Sequence, residues 1–355
     1  VLTEIAVWEN LFVAFYEASR DKRGRPEVAA FEHRLEDNLI ALQLELLERR
    51  YQPGTYNSFY IHDPKKRLIS AAPFRDRVIH HALCQVIEPL FERRFVADSY
   101  ANRIGKGTHR ALDQAQRYAR RFPYVLQVDV RQFFPSVDHA ILRGILARKI
   151  QDDGTLWLID RILESGIGVL AEEYQMVYFP GDDLFAVNRP RGLPIGNLTS
   201  QFWGNVYLDP LDHYIKRELR CAGYARYVDD LLLFADNKMV LWNWLQAIQQ
   251  RLALLRLTLH PGAHPRPVTE GIPFLGFTIF PERRRLKRRK GVQFQSKLRN
   301  MVKAWRAGMI STDTLAASIE GWVNHVRYGN TAGLRKDILS AVPEGVLQLV
   351  NHLDG

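Results

Sequence analysis

Apolar residues recur at helical spacing in "FEHRLEDNLIALQLELLERR" (31–50). Phe31, Leu35, Leu39, Leu42 and Leu46 fall on one face, which predicts a single amphipathic helix, and "YQPGTY" ends it. A second helix is expected from about Arg75, with Val78, Ile79, Leu83, Val86 and Ile87 as its apolar face and Pro89 near its end. The period then changes. "YVLQVDV" (124–130) is a short β-rich run ending on Asp129, and helix resumes after "FFPSVDHAIL" to about Lys149. Residues 173–190, with Pro180 and Gly181, suit a hairpin or loop, and 198–220 suit a helix. "YARYVDDLLLFAD" (224–236) reads as two strands with Asp229 and Asp230 at the turn between them. A helix over 239–257, a strand pair over 272–280 and a basic helical tail from about Val292 complete the chain. Strands and helices interleave without the regular spacing of a doubly wound sheet, so the expected class is α+β.

The 355 residues are enough for two or three domains, and 46% hydrophobic with 25% charged residues is an ordinary globular composition. No apolar run approaches the length of a membrane span. The N-terminus, "VLTEIAVWENLF", lacks the basic region and cleavage site of a secretory signal. The two cysteines, Cys84 and Cys221, build neither a disulfide framework nor a CxxC metal site, which suits a reducing cytoplasm. The formal charge of +10 points to a polyanionic partner, most simply nucleic acid.

Two adjacent carboxylates beside an apolar strand repel each other and cost free energy to desolvate. A divalent metal would neutralise them. Asp129 on one strand and Asp229 on a neighbour could hold two Mg²⁺ ions, the clamp used for in-line phosphoryl transfer. The alternative is that Asp129 caps a helix and that Asp229–Asp230 form an ordinary polar turn.

"YVDD" after a β-run, with "DVRQFF" about a hundred residues earlier, resembles the palm of a reverse transcriptase. "RLISAAPFRDRVIHHAL" (67–83) and "SYANRIGKGTHRAL" (99–112) resemble its fingers motifs. "GLPIGNLTSQFWGNVYLDPLD" (192–212) resembles the motif after the first catalytic aspartate. "GIPFLGFTIF" (271–280) resembles the primer grip, and "IEGWVNHVRYGNT" (319–331) the thumb. The resemblance implies a right-hand polymerase with fingers, palm and helical thumb. It divides the chain into an N-terminal helical segment (1–50), fingers and palm (51–280), and a basic connector with thumb (281–355). Most bacterial relatives, those of group II introns included, carry glutamine before the glycine and proline after the serine of the 194–201 motif. Here "PIGNLTSQ" has Ile195 and Gln201. That pattern resembles the reverse transcriptases of diversity-generating retroelements, which copy a template-repeat RNA with errors at adenines. No maturase, zinc-binding or endonuclease-like segment follows the thumb motif in the sequence, which fits this subclass.

The resemblance assigns roles residue by residue. Asp129, Asp229 and Asp230 become the catalytic carboxylates, with the Val130 carbonyl as a further metal ligand for two Mg²⁺, or Mn²⁺. Phe134 becomes the steric gate against a ribose 2′-hydroxyl, with core packing as its alternative. Lys65 and Arg67 grip the incoming dNTP triphosphate, Lys66 being able to replace Lys65, or all three form a solvated basic loop. Ile195 and Gly196 face the nascent base pair, and Tyr227 packs against the primer end or within the core. The segment "LTLHPGAHPRPVTEG" lacks the lysine that related polymerases offer to the leaving pyrophosphate; His260, His264 or Arg266 could replace it, or the role is unfilled, and none of the three joins the catalytic set.

The run Arg283, Arg284, Arg285, Lys287, Arg288, Arg289 and Lys290 is a candidate contact for template and primer phosphates. Its alternatives are a solvated face and a docking surface for a protein. The implied partners are a template RNA, the cDNA and primer, and a basic, helical, pentameric accessory variability protein. Two other readings stay open: a reverse transcriptase of another bacterial class, and a non-catalytic RNA-binding scaffold. Intact carboxylates argue against the second.

Overall fold

The computed structural model describes residues 1–62, 66–343 and 345–346. Helices α1 (Leu2–Ala6), α2 (Trp8–Ser19), α3 (Pro26–His33) and α4 (Leu35–Leu47) open the chain. The single helix expected over 31–50 is therefore two. Arg34 leaves helical geometry at φ −123°, ψ 47°. The Asn38 side chain donates to the Phe31 carbonyl (2.9 Å), giving that freed acceptor a partner at the break.

An antiparallel hairpin follows, β1 (Asn57–Ile61) with β2 (Arg67–Ala71), then α5 (Phe74–Glu92) and α6 (Thr108–Arg121). The strand β3 (Tyr124–Asp129) leads to the short α7 (Phe133–Ser136), α8 (His139–Ala147) and α9 (Asp153–Ser165). Asp138 caps α8 by accepting from the Ile141 amide (3.0 Å). Residues 173–190 form no hairpin, only irregular chain and short 3₁₀ turns. Helix α10 (Leu198–Arg217) precedes the hairpin β4 (Gly223–Tyr227) and β5 (Asp230–Ala235), followed by α11 (Lys238–Leu254) and β6 (Pro265–Pro267).

One sheet runs β4–β5–β3–β6, with every neighbouring pair antiparallel. Val125, Leu126 and Val128 of β3 are all buried because both faces of the sheet are covered. The strand pair expected at 272–280, β7 (Ile272–Phe274) and β8 (Phe277–Ile279), gains a third strand, β9 (Arg284–Leu286), from the basic run. Helices α12 (Arg288–Arg306), α13 (Thr312–Val326) and α14 (Ala332–Leu339) close the described chain. The basic helix thus begins inside the charge run rather than at Val292. The α+β class is as expected.

Among the described residues, three apolar cores form. The largest runs from Leu2 to Leu257, so helices of residues 1–50 share one core with α5, α8, α9, α10 and α11. The second joins α6 to the other face of the sheet and to β7 and β8. The third lies within the α12–α14 bundle. Among the described residues, no helix is long and apolar enough to cross a membrane.

Candidate active site

Three carboxylates meet at one end of the four-stranded sheet. The register places Asp129, the last residue of β3, opposite Asp230, the first residue of β5. Asp229 lies in the turn before β5, and its carbonyl accepts from the Val130 amide (3.1 Å). Asp129 caps no helix, since it ends a strand whose carbonyl accepts from the His260 amide (2.9 Å). The His260 ring also lies near it, Nε2 to Oδ2 3.6 Å. Val130 is buried with its backbone bridged to Leu259.

Burial and then the Asp129 charge push the Asp229 carboxyl up to about 6. Burial, then the charges of Asp129 and Asp229, push Asp230 up to about 7, against a hydrogen bond from Gln127. Positive charge reaches the site from both sides. Arg67 of β2 lowers Asp229, and Lys287, just after β9, lowers Asp230. A cluster of like charges restrained this way has a use for a cation.

Among the described residues, no three His, Cys, Asp or Glu side chains form a ready metal cage. The Asp230 carboxylate is engaged by Gln127 Nε2 (3.0 Å), and the charges of Asp129 and Asp229 act on it. Mg²⁺ is commonly held by one or two carboxylates together with substrate phosphates, so this donor set fits such an ion without a closed cage.

The other expected site residues lie on several elements, and among them Arg67 and Lys287 act on the carboxylates. Arg67 is exposed at the start of β2, while Lys65 lies outside the described residues. Lys66 Nζ sits 3.9 Å over the Tyr60 ring. Ile195 is half-buried, and its carbonyl accepts from the Ser70 amide of β2 (2.8 Å). Gly196 has φ +114°, and a Cβ there would meet Ile69 Cγ2 at 2.9 Å, so glycine is required. The hairpin and the 194–201 motif are thus one unit. Asn197 strengthens it by accepting from the Ala72 amide (3.0 Å) and donating to the Ser70 carbonyl (2.8 Å).

Phe134 is half-buried, with its ring centroid 5.2 Å from that of Phe133, so it packs and stays partly open. Tyr227 is half-buried, its hydroxyl 3.1 Å from the Thr108 hydroxyl at the start of α6. Arg283, Arg285, Lys287, Arg288, Arg289 and Lys290 are exposed. Arg284 is the exception, half-buried and engaged within the protein. Its guanidinium donates to Asp113 (2.7 Å), Gln116 (2.7 Å) and the Tyr328 carbonyl (3.3 Å). Those contacts tie β9 to α6 and the chain after α13.

Sequence reasoning missed Gln127 and the packing beneath the turn. The signal for Gln127 was present: it is polar inside "YVLQVDV", two residues from Asp129 and so on the same face of the strand. Its amide also donates to the Pro273 carbonyl (3.0 Å), and its oxygen accepts from Arg266 (3.0 Å). Gln127 therefore joins the carboxylate site to β7 and to Arg266.

A sheet end bearing three carboxylates, a hairpin locked to a glycine turn and a separate helical bundle define a right-hand polymerase, with palm, fingers and thumb. The family profile described as "Reverse transcriptase (RNA-dependent DNA polymerase)" matches residues 61–279, and the chain belongs to that family. Protein YkfC of Escherichia coli (strain K12) is 25% identical over 227 residues, covering 61% of this chain and 52% of its own. The group II intron-encoded protein LtrA of Lactococcus lactis subsp. cremoris is 25% identical over 183 residues, covering 51% of this chain and 28% of its own. This chain thus spans about half the length of the first relative and less of the second. A solved telomerase from Candida albicans, in complex with a telomeric RNA fragment, aligns with TM-score 0.46 at 11% identity, over 86% of this chain and 67% of that one.

Proposed function

We propose that this protein is an RNA-directed DNA polymerase making error-prone cDNA from a template-repeat RNA in a diversity-generating retroelement. The observation that carries the catalytic part is Asp129 and Asp229 at adjoining strand ends, with Arg67 close enough to influence Asp229. In this reading Asp129, Asp229 and the Val130 carbonyl hold Mg²⁺, which supplies charge neutralisation and activation of the primer 3′-hydroxyl. Asp230 adds negative potential while held by Gln127. Arg67, with Lys65, binds the triphosphate and stabilises charge on its phosphoryl oxygens. The Phe134 ring excludes a 2′-hydroxyl. Ile195 and Gly196 line the nascent pair, and Tyr227 supports the primer end. The exposed cations flanking β9 follow the backbone of the template–primer, and a basic accessory protein completes the complex.

Asp229→Asn removes one metal ligand and no phosphate contact. Primer extension on an RNA template is expected to fall by at least about a thousandfold, with RNA affinity nearly unchanged. Extension near the wild-type rate would overturn the assignment.

The retroelement part rests on Ile195. A polar side chain there would reject misfits, because a wrong geometry leaves it unpaired in a dry pocket. Isoleucine has no such bond to lose. Ile195→Gln is expected to lower misincorporation opposite template adenine roughly tenfold, read by sequencing cDNA from an adenine-rich RNA. A second reading, a polymerase of the intron-encoded class, is supported by the relatives encoded in group II introns. Equal error spectra from the two proteins would favour it.

A further inference from the structure

Directly beneath the carboxylate turn lies a wholly buried arginine. Arg226 has no exposed surface, and its guanidinium makes five contacts. Nε donates to Asp212 Oδ1 (2.8 Å) and Nη2 to Asp212 Oδ2 (2.6 Å), a bidentate pair. Nη2 also donates to the Ser99 hydroxyl (3.2 Å). Nη1 donates to Asn205 Oδ1 (3.1 Å) and to the carbonyl of Val228 (3.0 Å). Its backbone pairs with the 98–100 segment: its amide donates to the Asp98 carbonyl (2.8 Å), and its carbonyl accepts from the Tyr100 amide (2.9 Å). Asp212 accepts a further bond from the Tyr224 hydroxyl (2.6 Å), and Asn205 donates to the Ala101 carbonyl (2.8 Å).

The Val228 contact stands apart from the rest. Val228 has φ +57°, a left-handed conformation that a β-branched residue adopts at a cost. It is the residue before Asp229. Releasing it would let the turn relax toward ordinary dihedrals and carry the Asp229 carboxylate with it. A buried ion pair alone would give the core little net stability, since desolvation offsets most of its attraction. A pair that fixes a strained backbone atom one residue from a reacting group has a use beyond packing.

We infer that Arg226, oriented by Asp212, is a positioning residue that holds Val228 left-handed and so sets the Asp229 carboxylate in place. The inference rests on the proposed polymerase reading, and it ties the accuracy of the catalytic turn to α10 and the 98–101 segment. Lysine cannot reproduce the fork of donors, so Arg226→Lys keeps the charge and loses the grip on the carbonyl.

The test is a cycle with Val228. Glycine adopts the left-handed conformation freely, whereas alanine removes much of the same side chain and keeps the penalty. Arg226→Lys is expected to lower kcat about 10- to 100-fold, with KM for dNTP little changed. Adding Val228→Gly should restore most of that loss, and adding Val228→Ala should not. Additive losses in both backgrounds would overturn the inference, as would a rate loss that tracks only the loss of folded protein. Hydrogen exchange over residues 224–235 reads the turn without reference to catalysis. Faster exchange in Arg226→Lys that glycine reverses supports the inference, and unchanged exchange overturns it. Should wild type fail to extend a primer, the polymerase reading falls while the exchange result still decides the role of Arg226. Should Arg226→Lys not fold, Arg226→Met with Asp212→Leu removes both charges together and enters the same cycle.

Discussion

At the scale of single residues, burial and mutual repulsion make the site's carboxylates costly, Asp229 and Asp230 above all. Asp129, Asp229 and Asp230 stand out because carboxylates beside apolar strands need compensation, and the structure puts them at one sheet end. Phe134 is less legible, because a ring next to Phe133 is equally suited to packing, and its half-buried position serves both uses. Phe134→Ala is expected to raise rNTP incorporation relative to dNTP by roughly tenfold or more, since the vacated volume admits a 2′-hydroxyl. Incorporation ratios for wild type and variant check this, and an unchanged ratio would reduce the ring to core packing. In the sequence Arg226 is only a residue shortly before the turn, in "YARYVDD". Its value depends on Asp212 and Ser99, 14 and 127 residues away in sequence, and no local pattern announces such a contact.

At the scale of elements, periodicity located most helices and strands and misplaced some of their ends. Phe31 and Leu35 share a helical face on paper, yet the chain breaks at Arg34 between them. The apolar spacing survives such a break, so the pattern could not register it. The basic run read as one uniform surface because charge counts carry no direction. In a strand, successive side chains point to opposite sides. Arg284 is therefore drawn inward to Asp113 and Gln116, while Arg285 is exposed beside it. Two outcomes separate the roles. Arg284→Ala is expected to cost about 1–3 kcal/mol of stability while leaving the salt dependence of RNA binding unchanged. Neutralising Arg283, Arg285, Lys287, Arg288, Arg289 and Lys290 is expected to flatten that dependence, each lost phosphate contact lowering the log–log slope by about 0.7 to 0.9. Binding measured against salt concentration, with thermal melts alongside, distinguishes the two.

At the scale of the whole molecule, the large first core makes fold stability sensitive to acid. His80 of α5 is buried in it without a hydrogen bond to Nδ1, and burial, aided by His81 and Arg77, lowers its pKa to about 3. Between that value and the ordinary 6.5 the unfolded chain binds a proton that the folded chain refuses. Stability from this group is therefore full above pH 6.5 and falls as pH drops toward 3, by up to about 1.4 kcal/mol per pH unit. His80→Leu is expected to remove that slope, read as the difference between the two proteins' denaturant midpoints from pH 7 to pH 5. Neither the sheet nor the largest core extends into the α12–α14 bundle, which keeps an apolar interior of its own around Phe294, Leu298, Ile319 and Val323. Heating such a molecule is expected to release it in steps. The bundle, held to the palm side in part through Arg284, is expected to come apart while the larger core persists, and calorimetry should then give an enthalpy above the van't Hoff value.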